Sequence, residues 1–130
     1  MALSAEKALN SIHTMHVLIE KIFTGTHVAE DLALLSAHFS TDFTMIGAAG
    51  KCLTLEQVQQ LFIQNQAKMP DIKIEIYDEK IILQQDNAIV LTYTEKHSKS
   101  TGTLIRHSCA LIEEIDGKMQ WRYLQETFLA

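Results

Sequence analysis

A histidine and a pair of opposite charges are the residues of this chain whose types and spacing favour chemistry. His16 interrupts a stripe of apolar side chains spaced three and four residues apart, so a helix would turn its imidazole towards the interior. There it could act as an acid or base, or be a hydrogen-bonded core residue. Glu95 and Arg106 fall opposite one another on a predicted hairpin. The Arg106 guanidinium, oriented by Glu95, could hold a ligand carboxylate or enolate, or the two could form a surface ion pair.

Other kinds of chemistry find little support in the sequence. It contains no Gly-x-Ser-x-Gly motif, no phosphate-binding glycine loop and no catalytic cysteine context. His13 and His16 lie three residues apart on a helix, but no third ligand is visible, so we expect no metal and no cofactor. Any reaction would be acid–base work, with His16 and Glu95 as the catalytic candidates.

The turns of the second half predict which side chains share a face of the sheet. Asp116-Gly117 is typical of a two-residue hairpin turn, and a turn at Ser100-Thr101 would join the preceding strands. Regular alternation from these turns pairs Ile112 with Trp121, Ala110 with Tyr123, Ser108 with Gln125, Arg106 with Thr127, Glu95 with Arg106, and Tyr93 with Ser108. The predicted ligand-binding residues are those of this face together with the helical histidine: His16, Tyr93, Glu95, Arg106, Ser108, Trp121, Tyr123 and Gln125.

The same register assigns the opposite face of the sheet. It is predicted to carry the apolar side chains Val90, Ile105, Cys109, Leu111, Leu124 and Phe128, with His107 opposite Glu126. So large an apolar face usually meets a partner, and we expect a homodimer through the sheet.

The order of elements that positions these residues is helical first and extended later. Ser4 is a plausible N-cap of the first helix, Thr26 of the second, and Thr54 opens a capping box with Gln57. A short strand over 43–46 separates the second and third helices, and about four long strands follow the only proline. Segregated helices and antiparallel strands predict an α+β fold, with three helices on one face of a curved sheet and a pocket between them.

Two segments resemble the nuclear transport factor 2-like superfamily, which includes the ketosteroid isomerases and polyketide-cyclase-like proteins. They are Phe39–Met45 followed by Gly50-Lys51, and the Trp-containing strand 121–129, which is similar to that of small uncharacterised single-domain members. The resemblance implies a cone-shaped antiparallel sheet with the helices on its concave face. The fold hosts enzymes, binders and assembly domains. The general base of the isomerases corresponds to Gly47, so isomerase activity is not carried over, and Asp42 is expected to close a turn.

Length and composition fit one domain over residues 1–130. Hydrophobic residues make up 47% and charged residues 21%, as in ordinary globular domains. The net charge of −5 argues against nucleic acid and anionic membrane as partners. No apolar run approaches a membrane span and no secretory signal is visible, so we expect a cytoplasmic protein with Cys52 and Cys109 reduced.

These observations favour a domain that binds a small molecule of unknown identity in an aromatic and polar pocket. One alternative is a cofactor-independent isomerase, dehydratase or cyclase acting on a small apolar carbonyl compound. Another is a homodimeric assembly module with a vestigial pocket.

Overall fold

Three helices and six strands make up the computed structural model, which describes residues 4–129. In chain order they are α1 (Ala5–Thr24), α2 (Ala29–Ser36), β1 (Phe39–Ile46), β2 (Cys52–Thr54), α3 (Leu55–Gln64), β3 (Lys73–Gln84), β4 (Ala88–Lys99), β5 (Gly102–Ile115) and β6 (Lys118–Phe128). The strands form one sheet in the order β2-β1-β6-β5-β4-β3. All neighbours are antiparallel except β1 and β6, which are parallel. The predicted α+β class, with the helices on the concave face of a curved sheet, is confirmed.

Local signals in the sequence determine where α1 and α3 begin and end. The Ser4 hydroxyl accepts the backbone N–H of Lys7 at 3.1 Å, as expected of an N-cap. Gly25 ends α1 in the left-handed conformation at φ 83°, which glycine adopts without a steric penalty. Thr54 and Gln57 form the predicted reciprocal capping box of α3.

The start of α2 and the length of β1 differ from the prediction. Thr26 does not cap α2. The N-cap is Val28, two residues later, and its backbone N–H donates to the carboxylate of Asp31 at 3.0 Å. β1 begins at Phe39 rather than at 43, because its first residues pair with β6. This pairing brings β1 under the helices.

The predicted register of β4 and β5 is confirmed. Glu95 pairs with Arg106 and Tyr93 with Ser108, so these four residues lie on the concave face. Between β5 and β6 the predicted pair of Ile112 with Trp121 is also present, and Ile115 pairs with Lys118 beside the Asp116-Gly117 turn.

Beyond Trp121 the predicted β6 register is wrong by one residue. The next pair joins Leu111 to Tyr123, which leaves Arg122 as an extra residue in a β-bulge. A one-residue shift exchanges the two faces of the strand. Ala110, Ser108 and Arg106 therefore pair with Leu124, Glu126 and Phe128 rather than with Tyr123, Gln125 and Thr127, and His107 pairs with Thr127.

The core lies between α1 and the concave face of the sheet. Ile12 and Met15 of α1 pack there with Tyr93 and Trp121, all of them almost fully buried. Within residues 4–129, no helix is both long and apolar enough to cross a membrane.

Candidate functional site

A cavity of about 390 Å³ lies between α1, α3 and the concave face of the sheet. Its walls are mainly apolar and come from both helices and from β1, β2 and β6: Met15, Ile19, Phe23, Phe39, Met45, Leu53, Val58, Leu61, Phe62, Trp121, Leu124 and Phe128. The β1–β2 loop contributes small residues and Lys51. Five further side chains, His16, Glu95, His97, Arg106 and Glu126, form what we call the polar end.

Glu95 lies at the centre of the polar end between two histidines. Its carboxylate accepts hydrogen bonds from Nε2 of His16, at 3.1 Å, and from Nε2 of His97. The other ring nitrogen of His16 donates to the carbonyl oxygen of Ile12 at 2.8 Å. Since both partners of His16 are acceptors, both ring nitrogens need a proton, and the arrangement favours the imidazolium.

The pKa values of His16 and Glu95 follow from this contact. Burial by itself lowers the pKa of His16, but the charge and hydrogen bond of Glu95 outweigh it and raise the pKa above the ordinary 6.5. Burial alone would raise the pKa of Glu95, yet His16 and the hydrogen bond from His97 hold it well below the ordinary 4.5. The pair is therefore ionised near neutral pH.

Glu126 is the second carboxyl group of the polar end and is held differently. Its Oε1 accepts one hydrogen bond, from Nη1 of Arg106 at 3.3 Å. Burial and then the negative charge of Glu95 raise the pKa of Glu126 to about 7, and Arg106 and His16 offset only part of that rise. The Arg106 guanidinium also lies over the Phe128 ring, 5.1 Å from its centroid.

Comparison with known proteins places this chain in a family. No protein-family model matches the sequence, and no curated protein matches it. Among solved structures, an NTF-2-like protein of unknown function from Pseudomonas aeruginosa is 31% identical, with a TM-score of 0.91 over 95% of this chain and 98% of that chain. The chain belongs to the NTF-2-like family.

Two other solved structures share the NTF-2-like fold at low sequence identity. A putative scytalone dehydratase from Novosphingobium aromaticivorans is 10% identical, with a TM-score of 0.71 over 95% of this chain and 85% of its own. The association domain of CaMKII from C. elegans is 12% identical, with a TM-score of 0.70 over 94% of this chain and 95% of its own. At these identities the likeness concerns the fold alone.

Four of the residues predicted to bind a ligand line the cavity of this NTF-2-like chain. They are His16, Glu95, Arg106 and Trp121. Arg106 is not oriented by Glu95 as predicted, because its hydrogen bond goes to Glu126, on the neighbouring strand.

Two further predicted residues, Tyr93 and Ser108, lie on the same face but do not line the cavity, and both are almost fully buried. The Tyr93 ring meets His16 edge-on, 5.6 Å between centroids. Over residues 4–129, neither hydroxyl has a hydrogen-bond partner of ordinary geometry. Tyr93 therefore packs against the polar end through His16.

The remaining predicted site residues, Tyr123 and Gln125, lie away from the cavity. The bulge at Arg122 turns both to the outer face, where the Tyr123 hydroxyl donates to Gln125 Oε1 at 3.1 Å. Glu126, predicted for the outer face opposite His107, lines the cavity instead.

Sequence reasoning missed His97, Glu126 and Phe128 as members of this site. His97 follows Glu95 by two residues on a strand, so simple alternation would have found it. The other two depend on the bulge and carry no such signal.

The polar end of the NTF-2-like cavity combines two charged pairs of unlike strength. His16 and Glu95 form a buried ion pair, whereas Glu126 titrates near neutral pH beside Arg106. Such a set can bind a polar group and can give or take a proton. In the part of the chain that the structure describes, no group of histidine, cysteine and acidic side chains is arranged to hold a metal ion.

Proposed function

We propose that this chain binds a small molecule with an apolar body and one polar group, which lies against the polar end. The proposal is supported by the cavity itself, which is about 390 Å³ in volume and mainly apolar along its walls, with most of its charged side chains gathered at the polar end. Ligand pockets of proteins fall in this size range and use few polar groups to orient an apolar ligand.

The arrangement of the walls supports a ligand rather than packed core. Phe39 packs against Phe62 and Trp121 at centroid distances of 6.3 and 6.5 Å, and the three rings line the cavity without filling it. Transfer of an apolar body from water to these walls is favourable by about 25 cal/mol per Å² of apolar surface. The cavity therefore favours a ligand that is mostly hydrocarbon.

The test uses octanol as a neutral apolar probe and two tryptophan variants of α1. Ile19 lines the cavity, whereas Val17 is 55% exposed on the same helix. We expect octanol to raise the thermal unfolding midpoint of the wild type and of Val17→Trp but not of Ile19→Trp, in which the indole occupies the cavity. Absence of a rise in the wild type, or an equal rise in both variants, would contradict the proposal.

A second candidate function is acid–base catalysis on a small carbonyl compound. It is favoured by Glu126, whose pKa of about 7 suits proton transfer at neutral pH, in the cavity that also holds the His16–Glu95 pair. One solved structure with this fold, from Novosphingobium aromaticivorans, is named as an enzyme, a putative scytalone dehydratase. Octan-2-one in deuterated water tests the idea by NMR: the enzyme exchanges its α-hydrogens, and Glu126→Gln abolishes the exchange. No exchange above the buffer rate would leave binding as the function.

A homodimer through the outer face of the sheet is a further proposal. Val90, Leu111 and Tyr123 are partly exposed on that face, although Leu124 and Phe128, predicted there, line the cavity instead. The likeness to the CaMKII association domain is consistent with an assembly role. Light scattering across micromolar concentrations decides: twice the chain mass is expected, and 14.7 kDa throughout would contradict it.

A further inference from the structure

We infer that the pocket takes an acid with an apolar tail, bound as its carboxylate, and that Glu126 takes up a proton from solvent as this acid binds. The inference rests on the proposed function, and it adds the charge of the ligand and the proton that accompanies it. The evidence for the inference is the geometry of Arg106 and Glu126.

Arg106 has hydrogen-bonding capacity that the described residues of the chain do not use. Within residues 4–129 its Nε is buried and without a hydrogen-bond partner, and its contact with Glu126 is a single bond of 3.3 Å. A guanidinium carries several N–H donors in a planar fork that matches a carboxylate. Because the Phe128 ring covers one face of that plane, an incoming carboxylate would approach along its edge.

Glu126 is a weak competitor for this guanidinium. Its side chain is 8% exposed, accepts only the one hydrogen bond found among the described residues, and lies near the negative charge of Glu95. These conditions raise its pKa to about 7, so protonation near neutral pH costs little free energy. Once neutral, Glu126 leaves the charge of Arg106 without a counterion.

The charges facing Glu126 favour an anionic ligand over a neutral or cationic one. On α1 and β4, His16 and Glu95 compensate each other, and any charge on His97 is positive. Arg106 on β5 and Lys51 in the β1–β2 loop are both cations. With Glu126 protonated, one carboxylate balances Arg106, whereas an ammonium group would face it directly.

Binding of the acid changes the protonation state of one group, Glu126. Glu126 is ionised and paired with Arg106 in the free protein at about pH 8. The ligand carboxylate forms hydrogen bonds to Arg106, the Arg106–Glu126 bond breaks, and one proton moves from solvent to Glu126. No covalent bond to the ligand forms or breaks.

Titration calorimetry with octanoate, octanol and octylamine tests the inference. In two buffers of different ionisation enthalpy at about pH 8, octanoate is expected to bind with uptake of nearly one proton, and octanol with none. Above about pH 7 the octanoate affinity falls about tenfold per pH unit, because each complex then requires a proton that Glu126 lacks. Octylamine is expected to bind at least tenfold more weakly than octanoate.

Two charge-removing variants and their controls separate the possible failures. Arg106→Gln should lose octanoate binding and keep octanol binding, whereas the exposed control Arg122→Gln keeps both. Glu126→Gln should bind octanoate without proton uptake, and the exposed control Glu75→Gln should behave as wild type. Should Arg106→Gln fold poorly, Arg106→Lys, which keeps the charge, is expected to retain octanoate binding at reduced affinity.

The outcomes distinguish failure of the inference from failure of the proposed function. If octanol binds but octanoate does not, or octanoate binds without protons, the inference is overturned and the proposed function stands. If octanol does not bind, the proposed function fails, and the inference that rests on it fails as well.

Discussion

Glu126 and Arg106 are joined by a 3.3 Å hydrogen bond although their backbones are not paired. Glu126 pairs with Ser108, and Arg106 pairs with Phe128, so the ion pair runs diagonally across β5 and β6. The bulge at Arg122 makes this contact possible, because it turns Glu126 from the outer face into the cavity. The position of one extra residue thus decides whether the carboxyl group of Glu126 lies in the cavity.

Replacement of Glu95 by glutamine tests the buried ion pair. His16 and Glu95 are 6% and 5% exposed, so the variant leaves His16 without its compensating charge in a buried position. We expect a loss of about 3 kcal/mol in the free energy of unfolding near pH 6, measured by urea denaturation. The matched control is Glu79→Gln, which breaks the His13–Glu79 contact where His13 is 48% exposed. A loss within about 0.5 kcal/mol is expected there, and equal losses in both variants would contradict a buried ion pair between His16 and Glu95.

The pH dependence of the same difference follows from the two pKa directions. Glu95 has a lowered pKa, so its contribution is present above pH 4.5 and is lost as the pH falls below that value. His16 has a raised pKa, so its contribution is present below pH 6.5 and is lost as the pH rises through the raised value. The gap in stability between the wild type and Glu95→Gln should therefore be largest between pH 4.5 and 6.5. A gap that keeps growing up to about pH 9 would contradict this assignment.

Glu126→Gln is expected to stabilise the free protein at alkaline pH. The pKa of Glu126 rises from 4.5 to about 7 on folding, so the group favours folding below pH 4.5 and this contribution is lost by pH 7. At about pH 8 the variant should gain on the order of 1–3 kcal/mol in unfolding free energy, and near pH 4 it should gain little. Thermal unfolding at both pH values measures the effect, with Glu75→Gln as the exposed control. Destabilisation at pH 8 would show that the Arg106 contact outweighs burial.

Substitutions on β6 test which of its faces lines the cavity. Tyr123→Phe and Gln125→Ala should change the octanol affinity less than twofold, because both side chains lie on the outer face. Leu124→Ala removes part of the cavity wall and should weaken octanol binding about tenfold, in line with the loss of a few methyl and methylene contacts. Calorimetry measures all three variants. A larger loss of octanol affinity in Gln125→Ala than in Leu124→Ala would contradict the bulge and support the regular register.

Local and pairwise signals in the sequence were sufficient for much of the fold. Ser4 and the Thr54–Gln57 box act through backbone groups within one helical turn, so they mark helix starts without tertiary information. The pairing of Glu95 with Arg106 follows from opposite charges across a short turn. Half of the predicted binding residues, including His16, accordingly line the cavity.

The inward turn of Glu126 could not be predicted in the same way. Arg122, the extra residue of the bulge, is neither glycine nor proline and carries no local signal of irregularity. β6 lies between β5 and the parallel strand β1, whose own register shifts between Phe39 and Thr44, and the Trp121 N–H donates to the His38 carbonyl at 2.6 Å. The bulge reconciles two neighbouring strands, and this requirement depends on three segments far apart in the sequence.

Carbon NMR of the glutamate side-chain carboxyl groups reports the protonation of Glu126 without relying on binding or stability. With glutamate labelled by ¹³C and the Glu126 signal assigned by its loss in Glu126→Gln, the titration midpoint can be read with and without octanoate. We expect a midpoint at about pH 7 in the free protein, and a clear rise when octanoate saturates Arg106. A midpoint near the ordinary 4.5 in the free protein, or one that octanoate leaves unchanged, would contradict this expectation.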